Sequence, residues 1–466
     1  MSPRFLSRRE LLQRAGGGIA ALAAADLSAR AATTSPLAPK APHFPAKARA
    51  IISIFCYGGV SHIDTFDPKP ELEKRPGEVM SGQGDVVVSQ GHPGGILPSP
   101  WKFSKHGQCG MDVSELFPHL ARHVDEIAFI RSMYALSNDH APALFQMNTG
   151  SVLNGHPSMG SWITYGLGSE NQNLPAFIVL QDWRGGPIGG APNWGNGYMP
   201  AAFQGTPFRT SGDPIVDLKP PAEMTLERQR RWLSFLERLN AEHARRYPAD
   251  AEFAARMATF ELAYQMQKHA LEAVAIDREP AHIRALYGLD QPRTQYVGRQ
   301  LLMARRLVER GVRFVQIYSG GGNFQDSWDA HWDLKYNHEL HCAETDQPIA
   351  ALLVDLKQRG LLDSTLVLWH GEFGRMPISQ RIDGRDHNPY GFTVWLAGGG
   401  IKGGQVIGAT DEFGYKAVED RKSINDLHAT ILHLLGLDHE RLTYPYNGRQ
   451  MRLTDVSGHV IWPLLA

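Results

Sequence analysis

Six short runs of continuous apolar, β-branched residues, separated by longer charged and amphipathic stretches, constrain this chain more than any other feature. The runs cover residues 49–55, 127–132, 175–180, 313–318, 365–369 and 391–396. A strand that is apolar on both of its faces is buried on both faces, which is the mark of a mainly parallel sheet covered by helices on each side. The intervening patterns fit those helices: 226–246 and 251–268 are charged and amphipathic, 297–310 feeds the fourth run, 346–360 feeds the fifth, and 424–437 closes the series. Gly360 is placed as a helix C-terminal residue. The expected fold is a three-layer α/β sandwich, and 466 residues suit one large domain with insertions or two lobes. With 42% hydrophobic and 20% charged residues the chain is of globular type. A formal net charge of -1 gives no electrostatic case for nucleic acid or for an anionic membrane surface. Cys56, Cys109 and Cys342 form no CxxC pair and no disulfide framework.

Ligands of such folds bind beyond the carboxyl ends of the strands, and that is where this sequence concentrates its ligand-type residues. The first run leads into Gly58-Gly59 and then Ser61, His62, Asp64 and Asp67. The second leads to Asn138, Asp139 and His140. The fourth leads to Gly320-Gly321-Gly322 and then Asn323, Asp326, Asp329, His331, Asp333, His338 and His341. The fifth ends in His370, Glu372 and Arg375, and before the sixth come Arg385, Asp386 and His387. Carboxylates crowded together repel and stay partly protonated unless a cation lies among them. A divalent metal is the simplest occupant.

The amino terminus carries Ser7-Arg8-Arg9-Glu10-Leu11-Leu12, an apolar Gly- and Ala-rich run and small residues suited to cleavage. Residues 1–32 therefore read as a twin-arginine signal peptide and 33–47, rich in Pro and Ala, as a linker. Export to the periplasm or beyond is the expectation. No other stretch is apolar over the ~20 residues needed to span a bilayer.

Several phrases together give the chain a family resemblance: Gly58 through Pro70, Gln146 through Ser151, Pro157 through Trp162, Trp328-Asp329-Ala330-His331, Gly371 through Arg375, and Gly384 through His387. From residue 48 to the end the chain resembles the bacterial domain of unknown function 1501 family, placed with alkaline phosphatases and sulfatases. The resemblance implies an alkaline phosphatase-like domain over 48–466 with a helical insertion at about 222–310. It also implies a divalent metal ion, with Asp64, Asp329, His331, Glu372, Asp386 and His387 as its ligands. Oxygen donors among these favour calcium, magnesium or manganese; the imidazoles admit zinc. A sulfated or phosphorylated small molecule or glycan is the implied substrate. Genes of this family often lie beside those of c-type cytochrome domain proteins, which implies a partner of that kind.

Two positions depart from the superfamily pattern. His140 stands where a covalent nucleophile is expected, and Phe373 where a second metal would take an imidazole. Three readings follow. In one, His140 or His62 is a general base beside a metal, and Arg375 or Arg385 holds the sulfate or phosphate oxyanion. In another, His140 is itself the nucleophile. In the third, the site binds a metal or anion, or acts as a scaffold, without catalysis.

Overall fold

The computed structural model describes residues 35–81, 86–209, 215, 218, 223–247 and 251–466. The expected signal peptide lies outside them, apart from which the segment expected as a linker runs along the body from residue 35 onward. Its backbone N–H groups at Lys40, His43 and Lys47 donate to the carbonyls of Leu167, Gly436 and Leu434 at 2.8–2.9 Å.

One nine-stranded sheet organises the chain. Its strands are β1 (Ala50–Cys56), β2 (Ile127–Tyr134), β3 (Phe177–Leu180), β4 (Thr206–Phe208), β5 (Phe314–Ser319), β6 (Thr365–His370), β9 (Phe392–Ala397), β10 (Gln405–Ile407) and β11 (Lys422–Ser423). Between β6 and β9 the chain forms a separate ribbon of β7 (Gly374–Gln380) and β8 (Gly384–Asn388), which pairs with the short strand Pro93–Ile96. The sheet order is β10-β2-β9-β6-β1-β5-β3-β4, with β11 beside β2. Only β9 runs against its neighbours, β2 and β6. β1 lies at the centre, parallel to both β5 and β6.

Alternate side chains of β1 enter two different cores, which makes the sheet the middle of three layers. Ile52, Ile54 and Cys56 face one core. There they meet Leu301 and Leu302 of α5 (Gln295–Glu309) and Ile349 and Leu352 of α6 (Leu334–Gln358). Ile51 and Phe55 face the other core. That core holds Leu144 and Met147 of α1 (His140–Thr149), Trp162 and Ile163 of α2 (Met159–Leu167), and Leu427 and Ile431 of α7 (Ile424–Leu434). Each such isoleucine or leucine contributes about 1.5–3 kcal/mol when fully buried. The stretch expected as a helical insertion holds α3 (Leu226–Arg246), α4 (Ala251–Ala273) and also α5, which packs on the sheet. Among the described residues no helix is long and apolar enough to cross a membrane.

Two histidines are buried in neutral form, one within the sheet and one between helices of a single layer. His370 at the end of β6 lies 2.9 Å from Ser53 Oγ, and His428 of α7 lies 2.9 Å from the Met147 carbonyl. Burial draws their pKa values down to about 3 and about 4. In the unfolded chain a histidine titrates near 6.5, so between that value and the folded one the unfolded state binds more protons. Stability is thus fully present above about pH 6.5 and is lost as pH falls. We expect acidification from pH 7 to pH 5 to cost about 2 kcal/mol per such histidine. Denaturant titrations at the two pH values measure the loss, and His428→Gln should make it smaller. An equal loss in both proteins would remove His428 as a cause.

Candidate metal centre

The backbone turns that follow the strands bring five distant segments to one place. After β1 the chain bends through Gly58 and Gly59, with φ of 112° and 85°. A side chain is excluded at both: a Cβ on Gly58 would lie 2.5 Å from the Asp329 nitrogen, and one on Gly59 would lie 2.7 Å from the Phe373 ring. The bend is pinned on two sides. Gly58 N–H donates to Glu372 Oε1 at 3.0 Å, and Trp328 N–H donates to the Tyr57 carbonyl at 2.8 Å. The second bond sets Asp329 and His331 beside the end of β1, ahead of α6. His140 opens α1 after β2, Glu372 follows β6, and the β7–β8 ribbon supplies Arg375, Gln380, Arg385, Asp386 and His387.

The hub is one carboxylate oxygen. Asp329 Oδ1 lies 2.6 Å from Arg375 Nη2, 2.9 Å from His331 Nε2, 3.1 Å from His387 Nε2 and 3.3 Å from His140 Nε2. The donor atoms of His140, Asp329, His331 and His387 lie within 4.8 Å of one another, all buried, and can hold a metal ion. Burial alone would raise the Asp329 pKa. Arg375 and the three imidazoles instead hold it well below the usual carboxylate range.

The far side of each ring meets an acceptor at Nδ1. His140 Nδ1 is 2.7 Å from Glu372 Oε1, His387 Nδ1 is 2.7 Å from the Asn138 carbonyl, and His331 Nδ1 contacts Gln380 Oε1. All three partners are acceptors, so each ring can carry its proton on Nδ1, and with a cation at the centre each Nε2 would offer it a lone pair. An acceptor behind every imidazole is the arrangement found around metal-bound histidines. Two of these atoms, His140 Nε2 and His331 Nε2, are buried without any hydrogen-bond partner despite their closeness to Asp329, because the alignment is poor. The charges point the same way. Asp329 meets the guanidinium of Arg375, whereas Glu372 and Asp386 meet the rings of His140 and His331. Three negative charges against one positive leave a deficit of two, the charge of one divalent ion. Without a cation the deficit falls on His140: burial opposes its protonation, but Asp329 and Glu372 outweigh burial and raise its pKa to about 9.

Other residues expected at the site hold different positions. Asp64 is not among the four clustered residues; its carboxylate is taken by Arg385, with Nε at 2.7 Å from Oδ2 and Nη2 at 3.1 Å from Oδ1. Glu372 and Asp386 stand one step behind the cluster. Glu372 backs His140, and Asp386 accepts the Ser89 and Gln90 N–H groups at 2.7 and 3.1 Å, with its other oxygen 3.9 Å from His331 Nδ1. The two arginines expected to hold an oxyanion are engaged within the fold. Both are fully buried, and Arg375 is spent on Asp329 and the carbonyls of Gly58, Gly59 and Arg385. Arg385 is spent on Asp64 and the carbonyls of Met376 and Leu97. His62, expected as a general base, is buried; its Nε2 lies 2.8 Å from the Gly414 carbonyl, and burial lowers its pKa. Phe373 closes one side of the centre, its ring 5.1 Å from that of His140 and 4.5 Å from that of His387. The sequence reading missed Gln380; its one signal is a buried amide on a strand that leads directly to Arg385 and His387.

A family model described as "Protein of unknown function (DUF1501)" matches residues 48–465. The chain belongs to that family. The resemblance carried by the sequence motifs thus holds at family level. No curated protein matches the sequence. Similar solved structures include the PsFucS1 sulfatase from Pseudoalteromonas sp., at 14% identity, with 90% of this chain and 72% of that chain covered and a TM-score of 0.38. They also include the phosphonate monoester hydrolase SpPMH from Silicibacter pomeroyi, at 14% identity, 75% and 71% coverage and a TM-score of 0.36. A third is a mutant of TAB5 alkaline phosphatase with bound Mg, at 8% identity, 84% and 99% coverage and a TM-score of 0.36.

The Asp64–Arg385 pair makes a direct prediction. Arg385→Met leaves a buried carboxylate uncompensated and should cost about 3–5 kcal/mol of unfolding free energy. The double variant Asp64→Leu with Arg385→Met removes that charge and should recover a large part of the loss. Denaturant unfolding of the single and double variants decides; a double variant less stable than Arg385→Met would contradict the pairing.

Proposed function

We propose that this chain is an exported, metal-dependent hydrolase of sulfate or phosphate esters. The observation that carries this reading is the convergence of three imidazole lone pairs and one carboxylate beyond the carboxyl ends of parallel strands. His140, His331, His387 and Asp329 would hold the ion. Three imidazoles with one carboxylate suit zinc or another late first-row dication better than calcium or magnesium, which prefer oxygen donors. When bound, such an ion supplies Lewis acidity to an ester oxygen and to water.

The chain's own residues do the rest. Glu372, Gln380 and the Asn138 carbonyl keep a proton on each Nδ1 and aim each Nε2 inward. Arg375 balances Asp329, and Phe373 excludes water from the His140–His387 side. With Nδ1 held by Glu372 and Nε2 directed at the position the ion would take, His140 is better suited to a ligand role than to forming a covalent bond with substrate. A sulfated or phosphorylated glycan is the substrate class by family resemblance, and export rests on the amino-terminal motif.

A second reading has its own support. Arg375 and Arg385 are both saturated, so neither is free to grip a substrate anion. That favours a metal-binding protein without ester turnover. Metal analysis of the purified protein, together with hydrolysis of aryl sulfates and aryl phosphates, separates the two. The hydrolase reading expects bound zinc-like metal, turnover of one ester, and loss of both in Asp329→Ala and His387→Ala. Gln380→Leu should weaken metal binding by about 10–100-fold. Bound metal with both esters untouched supports the second reading; turnover that survives His387→Ala refutes the first.

A further inference from the structure

Helix α3 is amphipathic the wrong way round for a helix that serves only its own fold. Over 21 residues, roughly 30 Å at 1.5 Å per residue, its described half-buried positions are Gln229, Leu233, Asn240 and His243, a mostly polar set. Gln229 Nε2 donates to Gln267 Oε1 at 2.9 Å, and the His243 ring lies 4.3 Å from that of Phe253. The apolar side chains point outward instead. Trp232, Phe235, Leu236 and Leu239, at i, i+3, i+4 and i+7, are 53%, 46%, 44% and 52% exposed. An outward stripe of this kind marks a surface that something covers.

The charge beside the stripe says what. The helix carries six arginines against three glutamates, a net of +3, in a chain whose total is -1. Glu242 is occupied by Arg245 and Arg246, whereas among the described residues no carboxylate is paired with Arg228, Arg231 or Arg238. Arg228, Arg231, Trp232 and Phe235 together line an open hollow of about 680 Å³. Guanidinium groups flanking exposed Trp, Phe and Leu match a surface that is anionic at its rim and apolar beneath. A second copy of the same helix would bring unneutralised arginines against each other. We propose that the outer face of α3 docks on an anionic phospholipid surface, lying in the interface with its aromatic side chains inserted and its arginines on the headgroup phosphates. The whole-chain charge conceals this, because the balance of the molecule offsets the helix.

The test is co-sedimentation of the full chain with vesicles of phosphatidylcholine alone and of phosphatidylcholine mixed with phosphatidylglycerol. We expect binding to the anionic vesicles only, reversed by high salt. Each of Arg228→Ser and Arg231→Ser should weaken it by about fivefold, and Trp232→Asp with Leu239→Asp by tenfold or more. These positions are exposed, so circular dichroism and the unfolding midpoint should match those of the parent chain. No binding to the anionic vesicles, equal binding to both vesicle types, or binding unchanged in the Trp232→Asp, Leu239→Asp variant would each overturn the proposal. So would a dimer in solution that this variant converts to monomer, which would assign the face to a second copy.

Discussion

A single oxygen, Oδ1 of Asp329, holds the centre together. A carboxylate oxygen has room for two or three good hydrogen bonds, yet four nitrogens lie within 3.3 Å of this one. Two of the imidazoles make no hydrogen bond to it, and their Nε2 atoms are buried without a partner. That frustration would be an expensive defect in a purely structural network. It becomes intelligible once the lone pairs have a shared target. The carboxylates and rings behind the four residues are arranged to serve that geometry, and the buried arginine holds Asp329 ionised.

The rest of the architecture delivers side chains to that oxygen. The central strand ends in two glycines whose bare backbone lets the Asp329 turn and the Phe373 ring approach closely. The β7–β8 ribbon leaves the main sheet and folds back so that one hairpin presents the directly paired Arg375 and His387 together with Gln380 and Asp386. The guanidinium of Arg385 points away and neutralises Asp64, which separates the acidic residues that follow β1 from those around the centre.

Much of this was legible from residue patterns. The six apolar runs coincide with strands to within two residues, because continuous burial leaves a signal that needs no partner to read. Asp329, His331 and His387 stood out as ligand-type residues in turns after strands. What the sequence could not show is pairing. Asp64 and Arg385 are each visible as charged residues near the site, but only the folded chain reveals that they satisfy one another. Helix α6 begins at Leu334, earlier than its periodicity suggested, since Asn337, His338 and His341 are polar yet buried and break the amphipathic pattern. Gln380 looked ordinary because its importance lies wholly in the ring it faces. The net charge misled in the same way, as a sum that erases the segregation of arginine onto one helix.

The donors of the centre come from residues 140, 329, 331 and 387, on either side of the central strand and from both halves of the chain. No partly synthesised or partly collapsed chain can present them together, since α1, the turn before α6 and the late ribbon must all have docked first. An ion held at this centre would therefore be acquired only once those elements have docked, and its retention would report completed folding. A cell that moves the finished molecule across a membrane would also be committing the ion to whichever compartment the folding took place in.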